Sequence, residues 1–173
     1  MGRITLITGG TRSGKSAHAL KLAQQGGPRR AYLATLEPSD DPEMHARVAR
    51  HQAERPPDFA TIEEPVNVAS ALDGLRGAAD IIIVDSLTLW VANLMRIYSG
   101  EDAFRHEARS LAHVMEKAQF DSIVVTDEVG SGIVPDNAVA RRYRDLLGLT
   151  NQRIARSATE VLLMISGIPL KVK

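Results

Sequence analysis

Near its start the chain runs from the apolar stretch Ile4-Thr5-Leu6-Ile7 directly into Gly9-Gly10-Thr11-Arg12-Ser13-Gly14-Lys15-Ser16, which reads G-x-x-x-x-G-K-S. That order leaves little freedom: a buried strand must hand the chain to a glycine-rich turn, and a helix must start at its end. Backbone N–H groups of such a turn point inward at an anion, and the positive end of the helix dipole falls on the same place. Lys15 adds a point charge for the β- and γ-phosphates of a nucleotide, and the Ser16 hydroxyl suits a magnesium ion bridging them. The ligand class is therefore a nucleoside triphosphate. The loop does not name the reaction.

Apolar, β-rich runs recur at Ile4–Ile7, Ala31–Thr35, Ile81–Val84, Ser122–Thr126 and Val161–Ile165, separated by helical spacing at Ser16–Gln25, Val66–Leu75, Phe104–Lys117 and Ala138–Ala158. Short continuous runs alternating with amphipathic helices predict an α/β fold of the P-loop NTPase kind, with a mostly parallel sheet covered by helices on both faces. The end differs: Val161–Ser166, Gly167 and Ile168–Lys173 predict strand, tight turn and strand, an antiparallel hairpin closing one sheet edge. At 173 residues, one nucleotide-binding domain over 1–173 is expected.

Lys plus Arg and Asp plus Glu are equal at 21 each, so overall charge offers neither a nucleic-acid surface nor attraction to an anionic membrane. The absence of cysteine removes disulfides, thiolate metal sites and cysteine nucleophiles. No apolar run approaches the roughly 20 residues that span a bilayer, and no leader precedes the first strand, so a cytoplasmic enzyme is expected.

Asp40 or Asp41, Pro42 and Glu43 predict a helix start, with an end near Glu54 before Pro56-Pro57. On that helix His51 lies within about 60° of Met44, Arg47, Val48 and Arg55. One face thus joins an imidazole to two guanidinium groups, either as chemistry or as a solvated arginine-rich surface. Asp85 closes the run Ile81-Ile82-Ile83-Val84 and suits the magnesium ion, directly or through water, or a cap for the helix starting at Leu87. Asp127 and Glu128 end another strand, where they can approach the nucleotide or orient a second substrate. Asp127-x-x-Gly130 also fits a GTPase switch, but the accompanying Asn/Thr-Lys-x-Asp guanine reader is absent. Arg141, Arg142, Arg144, Arg153 and Arg156 load the last long helix with charge for phosphates, a neighbouring subunit or solvent.

Several blocks recur in one order: the phosphate loop, Tyr32-Leu33-Ala34-Thr35, Asp41-x-Glu43-Met44 with Arg47-Val48-x-x-His51, Arg55-Pro56, Val84-Asp85-Ser86-Leu87-Thr88, Glu128-Val129-Gly130-x-Gly132-Ile133-Val134-Pro135, and Asn151-Gln152. Along essentially its whole length the sequence resembles the bifunctional adenosylcobinamide kinase / adenosylcobinamide-phosphate guanylyltransferase family of cobalamin synthesis. The resemblance implies two reactions. A nucleoside triphosphate, ATP or GTP, phosphorylates adenosylcobinamide; GTP then donates GMP to that phosphate through a covalent GMP-histidine, giving adenosylcobinamide-GDP and pyrophosphate. It implies that His51 carries the GMP and that Lys15 acts on the phosphates. Expected nucleotide contacts are Gly9, Gly10, Thr11, Arg12, Ser13, Gly14, Lys15, Ser16, Ala34, Thr35, Leu36, Gln52, Ala53, Glu54, Arg55, Glu63 and Asp85, with Ser16 and Asp85 serving Mg2+. A homotrimer is also implied.

Glu63 is chemically suited to guanine, because a carboxylate accepts two hydrogen bonds from its N1 and N2 edge, which adenine cannot supply. Arginine charge beside His51 favours the neutral, nucleophilic imidazole. Thr11, Ser86 and Asp127 stand where the family more often has alanine, cysteine and asparagine; only Asp127 adds a charge at the site. The alternatives are a single-step kinase without a covalent intermediate and a slowly hydrolysing regulatory module acting through the Asp127–Pro135 loop.

Overall fold

A computed structural model describes residues 1–37 and 57–173. The helix expected to end near Glu54, with His51, Gln52, Ala53, Glu54 and Arg55, lies outside the described residues. In chain order the described elements are β1 (Ile4–Gly9), α1 (Lys15–Ala23), β2 (Arg30–Ala34), β3 (Phe59–Glu63), α2 (Val68–Gly74), β4 (Ile81–Asp85), α3 (Leu87–Ile97), α4 (Glu101–Lys117), β5 (Asp121–Val125), α5 (Ala138–Ser157), β6 (Glu160–Ile165) and β7 (Ile168–Lys171).

The strands form one seven-stranded sheet in the order β3-β2-β4-β5-β1-β6-β7. Every neighbouring pair is parallel except β6 and β7. Period-two alternation sends successive side chains to opposite faces. Ile81 and Ile83 join Ile7, Ile123, Val125 and the α1 residues Ala19 and Ala23 in one apolar layer. Ile82 and Val84 join Leu6, Val124 and buried residues of α2, α3, α4 and α5, Trp90 and Leu111 among them, in the other. Both faces are therefore covered, which is why the central strands carry near-continuous apolar runs such as Ile81–Val84 and Ile123–Val125.

The expected hairpin is present. Ile165 pairs with Ile168, and Ser166 and Gly167 between them have φ of 50° and 85°. Two positive values in a two-residue connection match the right-handed twist of the flanking strands. The strand at Phe59–Glu63 was not expected from sequence. Only Phe59 of it is buried, and as an edge strand held by β2 alone it carries no continuous apolar run. Helix α4 starts three residues before its predicted first residue, Phe104, at Glu101, where Glu101 and Asp102 meet the positive end of the helix.

Leu111 is wholly buried in the larger apolar layer. Leu111→Ala should cost about 2–5 kcal/mol, from lost transfer energy and a residual cavity. Urea unfolding should show a lower midpoint with an unchanged slope.

Candidate active site

The phosphate loop emerges from the C-terminal end of β1, at the sheet edge where open α/β sheets bind ligands. Two glycines are needed for its shape. Gly9 has φ 153°, and a Cβ there would lie 2.6 Å from the Met164 carbonyl oxygen. Gly14, at φ 93°, turns the chain into α1, and a Cβ would press within 3.2 Å of Gly167 Cα. The Gly167 N–H donates to the Ser13 carbonyl at 2.9 Å, so the terminal hairpin braces the loop from outside. Gly10, Thr11 and Arg12 are exposed, while Ser13 and Lys15 are buried.

Lys15 carries its charge inward. Its ammonium donates to the Gly10 carbonyl at 2.7 Å and pairs with Asp127 Oδ1 at 2.7 Å. The Ser16 hydroxyl donates to Asp85 Oδ2 at 2.9 Å, and the Tyr32 hydroxyl donates to the same oxygen. Two elements, α1 and β2, thus converge on Asp85 at the end of β4. The helix cap that Asp85 was suited to is instead made by Ser86, whose Oγ accepts from the Leu89 N–H at 3.4 Å. The Asp85 carboxylate remains directed at the phosphate loop. A hydroxyl beside a carboxylate is the oxygen donor set that suits Mg2+.

Strand register assembles the remaining edge. Ala34 is paired with Asp85 on one side and Glu63 on the other, so three residues separated in sequence end adjacent strands side by side. Glu63 is exposed there. Thr35 is wholly buried; its hydroxyl donates to the Ser86 carbonyl at 2.8 Å and accepts from the Ser86 N–H at 2.8 Å. Its hydroxyl therefore clamps the ends of β2 and β4, and half-buried Leu36 follows it. The Asn93 amide donates to the Thr35 and Pro65 carbonyls at 2.8 and 2.9 Å, tying α3 to the same edge.

Asp127 is fixed on three sides. Its N–H donates to Thr88 Oγ1 at 2.9 Å, its carbonyl accepts from Asn151 Nδ2 at 3.1 Å, and its carboxylate holds Lys15. The Glu128 N–H donates to the Gly9 carbonyl at 3.1 Å, binding the end of β5 to the phosphate loop. Arg141, Arg142 and Arg144 of α5 are used structurally rather than merely solvated. Arg144 donates to the Gly130, Gly132 and Ile133 carbonyls at 2.6–3.4 Å, Arg141 to those of Pro135 and Asp136, and Arg142 to those of Tyr98 and Ser99. Sequence reasoning assigned no role to Tyr32, Asn93 or Asn151. Tyr32 and Asn151 stand within the recurring blocks, but a hydrogen bond to a distant strand end leaves no local pattern.

Two outcomes follow from these contacts. Asp127→Asn removes a negative charge that competes for Lys15 and repels incoming phosphate, so nucleoside triphosphate should bind about 3–10 times more tightly by calorimetry. Burial first, and then the nearby Asp127 charge, push the Tyr143 phenol up to about 12. The unfolded phenol ionises from about pH 10 while the folded one keeps its proton, so folded stability falls as pH rises from about 10 to 12. Tyr143→Phe should flatten that decline in denaturant titrations, and an equally steep decline in the variant would exclude Tyr143 as its source.

Residues 5–172 match the family described as cobinamide kinase / cobinamide phosphate guanyltransferase. The chain is 37% identical to the bifunctional adenosylcobalamin biosynthesis protein CobU of Salmonella typhimurium, over 97% of this chain and 98% of that one. It is 36% identical to the bifunctional adenosylcobalamin biosynthesis protein CobP of Pseudomonas aeruginosa, over 97% and 96% of the two chains. Among solved structures, an ATPase from the type III secretion system of pathogenic bacteria superposes with a TM-score of 0.60 at 12% identity, over 94% of this chain and 51% of that one. This last likeness is one of fold, the P-loop NTPase sheet, and agrees with the architecture expected from the loop. Sequence matches that run nearly end to end in both partners, over a site built around an intact phosphate loop, place this protein in the cobinamide kinase / cobinamide phosphate guanyltransferase family.

Proposed function

We propose that this protein phosphorylates the aminopropanol hydroxyl of adenosylcobinamide with a nucleoside triphosphate and then transfers GMP from GTP to the product, giving adenosylcobinamide-GDP and pyrophosphate. The observation that carries this reading is the family match from residue 5 to residue 172 over a phosphate loop whose Lys15 and Ser16 are both directed at strand-end carboxylates.

In the first reaction the substrate hydroxyl oxygen bonds to the γ-phosphorus as the bond to the β–γ bridging oxygen breaks. The transition state spreads charge over phosphate oxygens, so the work of the protein is positioning and electrostatic stabilisation. Loop N–H groups and the α1 dipole orient the phosphates. Lys15 exchanges Asp127 for the β- and γ-phosphates. Mg2+ would be held by the Ser16 hydroxyl and Asp85 carboxylate, and when bound supplies charge neutralisation on the phosphate oxygens.

In the second reaction an imidazole nitrogen of His51 attacks the α-phosphorus of GTP and pyrophosphate leaves. An oxygen of the substrate phosphate then displaces the imidazole. Splitting one displacement into two gives each an in-line path. His51 comes from sequence alone, with Arg47 and Arg55 on the same predicted helix face to hold phosphate oxygens. Glu63 reads the N1 and N2 edge of guanine, a role supported by its place on the strand end beside Ala34. Adenosylcobinamide and its phosphate are the other substrates, and the resemblance supports a homotrimer working in the cytoplasm. Among the described residues no helix is long and apolar enough to cross a membrane.

Wild type incubated with magnesium and α-labelled GTP should retain acid-labile, alkali-stable label after denaturation, and His51→Ala should retain none. Absence of α-label on wild type that binds GTP would leave a single-step kinase as the better reading. Lys15→Ala should lower kcat/KM of the kinase step by roughly 10²–10³. Glu63→Gln should narrow the GTP to ATP preference of the transferase step by about tenfold; an unchanged ratio would remove Glu63 from base recognition.

A further inference from the structure

Between Glu128 and α5 the chain makes an exposed loop containing Val129, Ile133 and Val134, with Val139 following at the start of the helix. Ile133 is 97% exposed and Val134 62%, so two adjacent aliphatic side chains of one loop face solvent together. Here the loop is fastened by its backbone. Arg144 holds the carbonyls of Gly130, Gly132 and Ile133, and Arg141 holds those of Pro135 and Asp136. The entrance is pinned by the Glu128 N–H on Gly9, and the exit by Asn137, whose side-chain oxygen accepts from Val139 and Ala140 N–H groups at 2.7 and 3.1 Å. None of these bonds uses the Ile133 or Val134 side chain, so the fastening holds both toward solvent.

We propose that Ile133 and Val134 form the apolar platform against which the corrin ring of the acceptor docks during phosphoryl transfer. This rests on the function proposed above, which supplies a large acceptor whose methyl-bearing macrocycle needs apolar contact while its hydroxyl reaches the phosphate chain. Position selects this occupant. Glu128 is bonded to the phosphate loop, and Ile133 is five residues on, so a fully extended chain places the two at most about 18 Å apart. Another exposed aliphatic surface, Ile165, Ile168, Leu170 and Val172, shares one face of the β6–β7 hairpin and offers a second copy of the chain a broader, flatter contact. The loop is small and contiguous with Asp127, the partner of Lys15, which suits a ligand that must meet the phosphates.

The test compares the full-length wild type with Ile133→Ser, Val134→Ser and the double variant. Adenosylcobinamide retention is read from its visible absorption in equilibrium dialysis, alongside kinase KM and kcat, GTP binding and sedimentation. The double variant should raise both the Kd and the KM for adenosylcobinamide by about tenfold or more. GTP affinity, kcat at saturating acceptor and sedimentation should stay unchanged, and Ile133→Leu should bind as wild type does. Corrinoid binding unchanged in the double variant would overturn the platform while leaving the proposed function intact. Weaker binding accompanied by altered sedimentation would give the loop to a second copy and also overturn it. Wild type that binds GTP but neither retains nor phosphorylates adenosylcobinamide would overturn the functional reading first, and the platform with it. Should the double variant lose GTP binding through misfolding, the single variants decide by the same readings.

Discussion

Insertion of β5 between β1 and β4 sets the geometry of the site. Because β5 lies next to the phosphate-loop strand, its last residues reach the loop, and Asp127 meets the Lys15 ammonium at 2.7 Å. Because β4 lies one strand further out, Asp85 meets Ser16 at the start of α1 rather than Lys15. Two carboxylates are thereby divided between two partners, Asp127 beside the Lys15 ammonium and Asp85 beside the Ser16 hydroxyl. A one-residue slip in either pairing would turn the alternating side chains to the opposite faces of the sheet. Because both faces of β4 and β5 are apolar, the fit of individual side chains in the two layers and the polar strand end at Asp85 make such a slip costly.

The charged groups around this edge are matched before any ligand enters. Lys15 is nearly buried, and an unpaired ammonium in that position would be costly. Asp127 and the Gly10 carbonyl meet its need. Incoming triphosphate therefore exchanges one anionic partner for another, which moderates affinity and keeps the lysine placed. The Asp127 carboxylate gives Lys15 a charged partner where a neutral amide would give it only a hydrogen bond.

The α5 arginines show how poorly composition alone assigns a role. Arg141, Arg142 and Arg144 read as a basic helix face, suited to phosphates, a subunit or solvent. They instead satisfy the carbonyls of two connections that enter and leave helices, which a glycine-containing loop cannot satisfy through a ladder of its own. That fastening keeps Ile133 and Val134 outward.

The strand, glycine turn and helix at the N-terminus were legible because each is a local requirement: apolar run, small residues at positive φ, and lysine at the helix start. The same holds for the hairpin turn at Ser166-Gly167 and for the alternation of strand and helix. The strand Phe59–Glu63 was not legible, because its stability comes from pairing with β2 rather than from its own burial. Roles for Tyr32, Asn93, Thr88 and Asn151 were likewise invisible, since each acts on a residue 24–58 positions away. Local chemistry written in the chain thus determined the phosphate loop and the strand and helix that flank it. The pairing of Lys15 with Asp127 and of Ser16 with Asp85 was decided only by the order and register of parallel strands, because parallel neighbours are joined through crossovers and need not be neighbours in sequence.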